Sequence, residues 1–399
     1  MPYLISILLI YPFKLSFFPS LSTLLLLSMC VFFFIRIGVY NRGWKINAYI
    51  IIYINILLIL VALNVMSIIY NGTNDLSYIN MVFKYLTIIF ISINVVCYCI
   101  IKNIDLFDFL RSFIVVSAIL ASFCIGEYFS PYIKHMISTY FISTDNIIYS
   151  ETFRVKGFVS GGGAKLSFCL ALAVMFSHAL YVEKKNNLLI LLSLIISVGA
   201  LLVGRTGMVL TFISWFALLA ITIGKPTIKS VSILTLVIVI ILVGINNLDF
   251  SSDELKMVHQ YSFELLYNYQ ETGKFSSKST DAISNMYIMP NWNVILFGNG
   301  TFSYDGIINV IDVGYYKQLF STGIIGFFLF YFSIGWGQYV SYKYICLNVN
   351  KVFCFIIFVS FWVVEAKEPI FLHGYSSRVL LMVFLFSVLD GRIINNEKK

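Results

Sequence analysis

Two basic clusters border glycines at the ends of long apolar runs. Arg205 stands in "ALLVGRTGMVL", Ala200 to Leu210, flanked by Gly204 and Gly207. Arg154, Lys156 and Lys165 surround Gly161, Gly162 and Gly163 in "TFRVKGFVSGGGAKLSF". Arginine carries a planar fork that matches phosphate oxygens, and its charge does not titrate away on burial. A glycine run entering a helix can turn backbone N–H groups toward an anion. The chemistry implied is an anion clamp, with Arg205 and Arg154 its main members and Lys156 and Lys165 beside them. Each feature also has a plainer explanation. Arg205 fits an interfacial residue that snorkels to water, and the glycine run fits close helix packing. The run is not a Walker A loop, since Gly-Lys-Ser/Thr is absent.

Two further stretches carry ionisable groups. In "LFGNGTFSYDGIINVIDVGYYKQLFSTGIIGFFLF", Gly298 and Gly300 mark a turn, and Gly323 and Gly326 allow close packing. Asp312 is a candidate general base, or equally an interfacial hydrogen-bond organiser. Tyr315 is a candidate substrate contact beside it. In "EAKEPIFLHGYSSR", Lys367, His373 and Arg378 are candidate substrate-binding groups. Glu365, Lys367 and Arg378 fit an ion-pair lock between helices as well. His135, His259 and His373 show no metal-ligand spacing, so no metal is expected. Tyr132, Tyr140, Tyr149, Tyr261 and Tyr269 fit an interfacial aromatic belt, or sugar contacts.

The elements that must hold these residues follow from composition. The chain has 399 residues, 59% hydrophobic and 12% charged. Apolar runs recur along it, and about 20 such residues cross a bilayer as a helix. The expected fold is all-α: a single integral membrane domain over 1–399, a transmembrane helical bundle of about twelve spans. The spans are expected at 3–18, 19–36, 46–69, 79–101, 106–129, 158–182, 187–203, 206–223, 230–246, 312–339, 351–365 and 374–390. Pro12, Lys14 and Pro19 make the first a short, kinked one. Span six is open to a break at its glycines, with Lys165 a turn inside. With the N-terminus cytoplasmic, Arg36, Arg42, Lys45, Lys102, Lys184, Lys185, Lys225, Lys229, Lys343 and Lys351 all fall in inner segments. The positive-inside rule then places both termini in the cytoplasm. Two outer loops remain, 131–157 and a large one at 247–311. The latter has helical spacing in "DELKMVHQYSFELLYNYQ", which predicts an amphipathic surface helix. The seven cysteines form no disulfide framework. The net charge of +8 resides in inner loops and does not point to nucleic acid.

Taken in order, three parts carry a resemblance: "RVKGF" from Arg154, "GRTG" from Gly204 at an outer hairpin, and "FGNG … DVGYYKQLFSTGIIGFFLF" after the main loop. Together they resemble O-antigen polymerases of the Wzy type, within the O-antigen ligase/polymerase superfamily, over most of the chain. The resemblance implies a glycosyltransferase of the bacterial inner membrane that works at the periplasmic face and needs no cofactor. Its substrate would be an oligosaccharide linked to undecaprenyl pyrophosphate, passed to a sugar hydroxyl of the next lipid-linked unit. It assigns pyrophosphate binding to Arg154 and Arg205. A chain-length regulator and a flippase would be partners. The ligase branch typically has a His near the position of Asp312, so its absence argues against a ligase. A lipid-linked oligosaccharide flippase is the competing expectation. Transporters tend toward internal repeats with midplane sites, and no repeat is visible here.

Overall fold

The computed structural model describes residues 2–39, 47–142, 155–223, 290–302, 313–345, 349–372 and 374–390, with single positions 268, 269, 273, 281 and 286. Among them are thirteen helices: α1 (Pro2–Ile10), α2 (Leu21–Val39), α3 (Ala48–Asn71), α4 (Ser77–Ile101), α5 (Leu106–Phe129), α6 (Pro131–Tyr140), α7 (Gly163–Lys184), α8 (Asn187–Val203), α9 (Arg205–Ile223), α10 (Trp292–Phe297), α11 (Gly314–Ile345), α12 (Lys351–Glu365) and α13 (Tyr375–Leu389). The only β pairing among the described residues is a bridge between Leu15 and Phe141. Six helices, α3, α4, α5, α7, α9 and α11, are long and apolar enough to cross a membrane. They fit a bilayer on their outer faces too: α3 exposes Ile51, Ile52, Leu58, Ile59, Met66 and Ile69. The expected span at 230–246 and the amphipathic helix of the large loop lie outside the described residues.

α7 is the axis of the bundle. Every side chain from Leu166 to Leu180 is buried, and α5, α8, α9, α12 and α13 pack around it. Such a helix is buried on every face, and its few polar groups there, Ser167, Ser177 and His178, all have hydrogen-bond partners. It starts at Gly163 rather than at the expected 158, so the glycines form its entry and do not break it.

The first span differs from expectation. A kinked helix was expected over 3–18, yet α1 ends at Ile10. Nine residues of helix reach about 14 Å, half of a hydrocarbon core of about 30 Å. Pro12 is the cause: it has no N–H for the Leu8 carbonyl and biases Tyr11 away from the helical region. α1 runs parallel to α5, with Ser6 Oγ 2.8 Å from Ser112 Oγ and Tyr11 OH 2.8 Å from Ser117 Oγ. The chain then continues extended. Ser16 N donates to the Tyr140 carbonyl and Ile142 N to the Lys14 carbonyl, both at 2.9 Å. Non-helical backbone at membrane depth is tolerated where protein buries it, and Tyr11 is fully buried.

The span expected over 312–339 is broken. Gly323 has φ 66° and ψ −174° inside α11. In a straight helix Tyr315 and Tyr331 would lie about 24 Å apart; here their rings are 5.0 Å apart. The segment from 314 to 322 is therefore folded back on the longer part. The 296–300 backbone fills the break. A Cβ on Gly323 would meet Leu296 O at 2.5 Å, and one on Gly298 would meet Gly323 N at 2.7 Å. Gly298 and Gly300 do form the expected turn, with φ of 73° and 76°. Asn299 N and Gly300 N donate to the Phe320 carbonyl at 2.8 and 3.1 Å. From α3, Asn64 reaches Ser321 O at 2.8 Å, Asn71 reaches Gly298 O at 3.1 Å, and the Ser67 hydroxyl binds Phe297 O. Asn64, Ser67 and Asn71 share one helical face. That polar stripe on an apolar helix satisfies one carbonyl next to the break and two of the segment that fills it.

Candidate functional site

The site lies at the end of the bundle where α7 and α9 begin. α8 ends at Val203 and α9 starts at Arg205, so Gly204 alone makes the turn. Gly204 and Gly207 let α9 press on α7. A Cβ on Gly207 would stand 2.4 Å from the Ser167 carbonyl oxygen, and one on Gly204 would stand 3.1 Å from Ser167 Oγ. Gly207 N also donates to Ser167 Oγ at 3.2 Å. Arg205 and Lys165 are thereby held on the first turns of two adjoining helices, both partly exposed. First turns present N–H groups with no intrahelical acceptor and the positive end of the helix dipole.

The loop after α12 adds a third cation. Lys367 Nζ donates to Thr206 Oγ1 at 3.1 Å, one residue from Arg205. Glu365 fixes this loop. Its buried carboxylate accepts Ile370 N at 2.7 Å, Phe371 N at 3.3 Å and the Tyr331 hydroxyl at 2.9 Å. A Cβ on Gly314 would stand 2.4 Å from Glu365 Oε1, so the start of α11 closes over the same carboxylate. Lys165, Arg205 and Lys367 thus come from three elements at one end of the bundle. Arg154, Asp312 and His373 lie outside the described residues.

The other expected site residues have structural partners. Lys156 is buried, and its ammonium donates to the Phe141 carbonyl at 3.1 Å. Tyr315 OH donates to the Trp362 carbonyl at 2.9 Å, in the last turn of α12. Arg378 donates from a guanidinium nitrogen to the Leu9 carbonyl at 2.8 Å. The expected lock of Glu365, Lys367 and Arg378 is not formed: each of the three is directed to a different group. Arg378 instead caps the end of the half-length helix α1. Pro12 removes the donor that would have continued that helix, and a cation at a helix C-terminus also suits the dipole. Arg378→Leu is expected to cost about 1–3 kcal/mol of stability, because a buried carbonyl loses its donor. The readout is the thermal unfolding midpoint in detergent, with Arg378→Lys falling in between. A purely ligand-binding Arg378 would leave the midpoint unchanged.

Three groups escaped the sequence reading. Glu127, buried near the end of α5, accepts Lys156 N at 3.0 Å and Gly157 N at 2.7 Å, so it anchors the turn that leads into the glycine run. Tyr375 OH accepts from Gly161 N at 3.1 Å and donates to Gly161 O at 2.8 Å, holding that run from α13. His178 is buried in α7, with Nδ1 2.8 Å from Ser214 Oγ and Nε2 3.2 Å from Ser193 Oγ. It ties α7, α8 and α9 together. Glu127 and His178 carried a usable signal: an ionisable residue within an apolar helix demands a partner. Tyr375 carried none, being one tyrosine of 26. The chain matches no family model, no curated protein and no solved structure.

Proposed function

We propose that this chain is an O-antigen polymerase of the Wzy type, a glycosyltransferase of the bacterial inner membrane. It would have about twelve spans, both termini cytoplasmic, and its site at the periplasmic face. The donor is a glycan on undecaprenyl pyrophosphate, and the acceptor is a sugar hydroxyl of a second lipid-linked unit. One observation supports the reading: Lys165 and Arg205 lie on the first turns of the adjoining helices α7 and α9, and Lys367 reaches Thr206 beside them. Fixed cations and helix N-termini favour a dianionic or more highly charged group there.

The chemistry follows from that charge. The acceptor oxygen bonds to the anomeric carbon as the bond from that carbon to the pyrophosphate oxygen breaks. Negative charge grows on the departing pyrophosphate. Arg205, with Arg154 assigned by resemblance, stabilises it more in the transition state than in the ground state. The anomeric carbon passes through an oxocarbenium-like state. The acceptor proton goes to a base, for which Asp312 is the candidate, or to the departing phosphate itself.

A lipid-linked oligosaccharide flippase is the second reading. The observation in its favour is the discontinuous helix α11, broken at Gly323, a device that transporters use. Reconstitution in vesicles with a defined lipid-linked repeat unit separates the two. The polymerase reading expects products lengthened by whole repeats, resolved by size. Transbilayer movement of single units without lengthening would replace it with the flippase.

A further inference from the structure

We infer that α10 and the adjoining end of α3 form a membrane-anchoring surface, which seats the part of the chain leading into α11 in the interfacial region of the bilayer. The inference stands apart from the glycosyltransferase reading. α10 falls within the outer loop expected at 247–311, yet it is a six-residue apolar helix, Trp292–Phe297, too short to persist unaided. One side of it is held by α3. The Ser67 hydroxyl takes the Phe297 carbonyl, Asn71 takes the Gly298 carbonyl at 3.1 Å, and the rings of Tyr70 and Phe297 lie 5.6 Å apart. The other side is open: Trp292 is 77% exposed, and Leu296 and Phe297 are exposed with it.

Lipid is the occupant this face fits, and three observations favour it. The first is continuity. Met66, Ile69 and Tyr70, beside Phe297, are the end of the apolar face that α3 exposes from Ile51 and Ile52 onward. α3 has 24 residues, about 36 Å of helix against a hydrocarbon core of about 30 Å, so its last turns reach the interface. α10 is tied to those turns and shares their depth. The second is charge. No charged residue stands between Asp281 and Asp305, whereas Lys256, Glu264, Glu271, Lys274 and Lys278 crowd the stretch before it. By contrast α6, also short, exposes Lys134 and His135. A protein partner would be met by a polar rim; this patch is Trp, Leu, Phe, Met, Ile and Tyr, the composition of a membrane-interface belt. The third is the backbone. Ser67 and Asn71 satisfy the carbonyls at the α3 end of α10, so that end can leave water. At the opposite end Asn291 makes no side-chain cap, and the first N–H groups are left to headgroups or water.

The test uses full-length protein in nanodiscs, with a nitroxide on single cysteines in a Cys97→Ser, Cys346→Ser background; the other five cysteines are buried. Trp292→Cys and Leu296→Cys are the test sites. Ile59→Cys, exposed on α3, is the lipid reference, and Lys134→Cys, exposed on α6, is the water reference. The readout is the ratio of collisions with oxygen, which dissolves in lipid, to collisions with a water-soluble nickel chelate. Both test sites should give a ratio several-fold above that of Lys134→Cys and no higher than that of Ile59→Cys. A ratio equal to that of Lys134→Cys would mean that α10 is solvated, and shielding from both reagents would mean that protein covers it; either result would overturn the inference. Melting curves show that each variant folds, and if one test site does not, the other decides. Label-free protein gives a second measurement. Brominated lipids should quench part of the wild-type tryptophan emission that Trp292→Phe lacks, and an unchanged quenched fraction in that variant would also overturn the inference.

Discussion

Arg205→Ala is expected to abolish chain elongation while leaving protein level, membrane insertion and unfolding midpoint near those of wild type. Arg205 sits at the first position of α9, partly exposed, and the packing of that helix on α7 is made by Gly204, Gly207 and Ser167. Truncating the arginine therefore removes charge without opening a cavity. Donors aimed at developing negative charge are worth about 10²–10³-fold in rate each, and a charged bidentate donor belongs at the upper end. Arg205→Lys should recover little, because an ammonium keeps the charge and loses the fork. Arg154→Ala should resemble Arg205→Ala, and the double variant should be no worse than either, as expected of groups acting on one leaving group. The measurement is product length from a defined lipid-linked unit. Wild-type elongation by Arg205→Ala would return the residue to a snorkelling role.

Gly207→Ala is expected to be nearly as damaging, through geometry rather than charge. The added methyl would lie 2.4 Å from the Ser167 carbonyl oxygen, 2.7 Å from its carbonyl carbon and 2.7 Å from its Cβ. Two of those atoms are helix backbone and cannot swing aside. α9 must move off α7, and overpacking of this kind costs about 1–3 kcal/mol. Arg205 and Thr206 would move with it, carrying the cations out of register. Displacements near 1 Å at a reacting centre cost roughly 10²-fold in rate. Gly337→Ala is the control. Its Cβ would meet the Phe384 ring at 3.6 Å, an ordinary contact. Within α11, alanine is the better helix former by about 1 kcal/mol. Gly337→Ala should keep activity and melt no lower than wild type. A Gly207→Ala protein with full activity and an unchanged midpoint would mean that α9 is not seated on α7 as described.

The helical class and several element boundaries were readable directly. α5 at 106–129, α8 at 187–203 and α12 at 351–365 begin and end where their apolar runs do. Local signals suffice for this, because a helix in lipid satisfies its own backbone and needs only apolar length. The positive φ of Gly298 and Gly300 was legible for the same reason, since glycines in a short polar stretch carry turn geometry with them. Pro12 was visible as a kink and Gly323 only as a close-packing residue, so neither the end of α1 nor the break in α11 was legible. Whether a proline or glycine bends a helix or ends it depends on what can accept the freed backbone groups.

Those acceptors and donors come from far along the chain, and tertiary structure alone supplies them. The Leu9 carbonyl is met by Arg378, 369 positions away, and the Gly323 break is filled by residues 296–300 and fastened by Asn64, Ser67 and Asn71. By itself, the sequence determined a helical class, shown among the described residues, with segments long and apolar enough to cross a membrane and with arginine and lysine beside glycines at their ends. The tertiary structure decided which partner each cation takes. Lys367 reaches Thr206 beside Arg205, whereas Lys156 and Arg378 hold backbone carbonyls. The reason is physical: apolar length is a property of one segment, but a buried charge takes whichever partner the packing of several segments brings within hydrogen-bond reach.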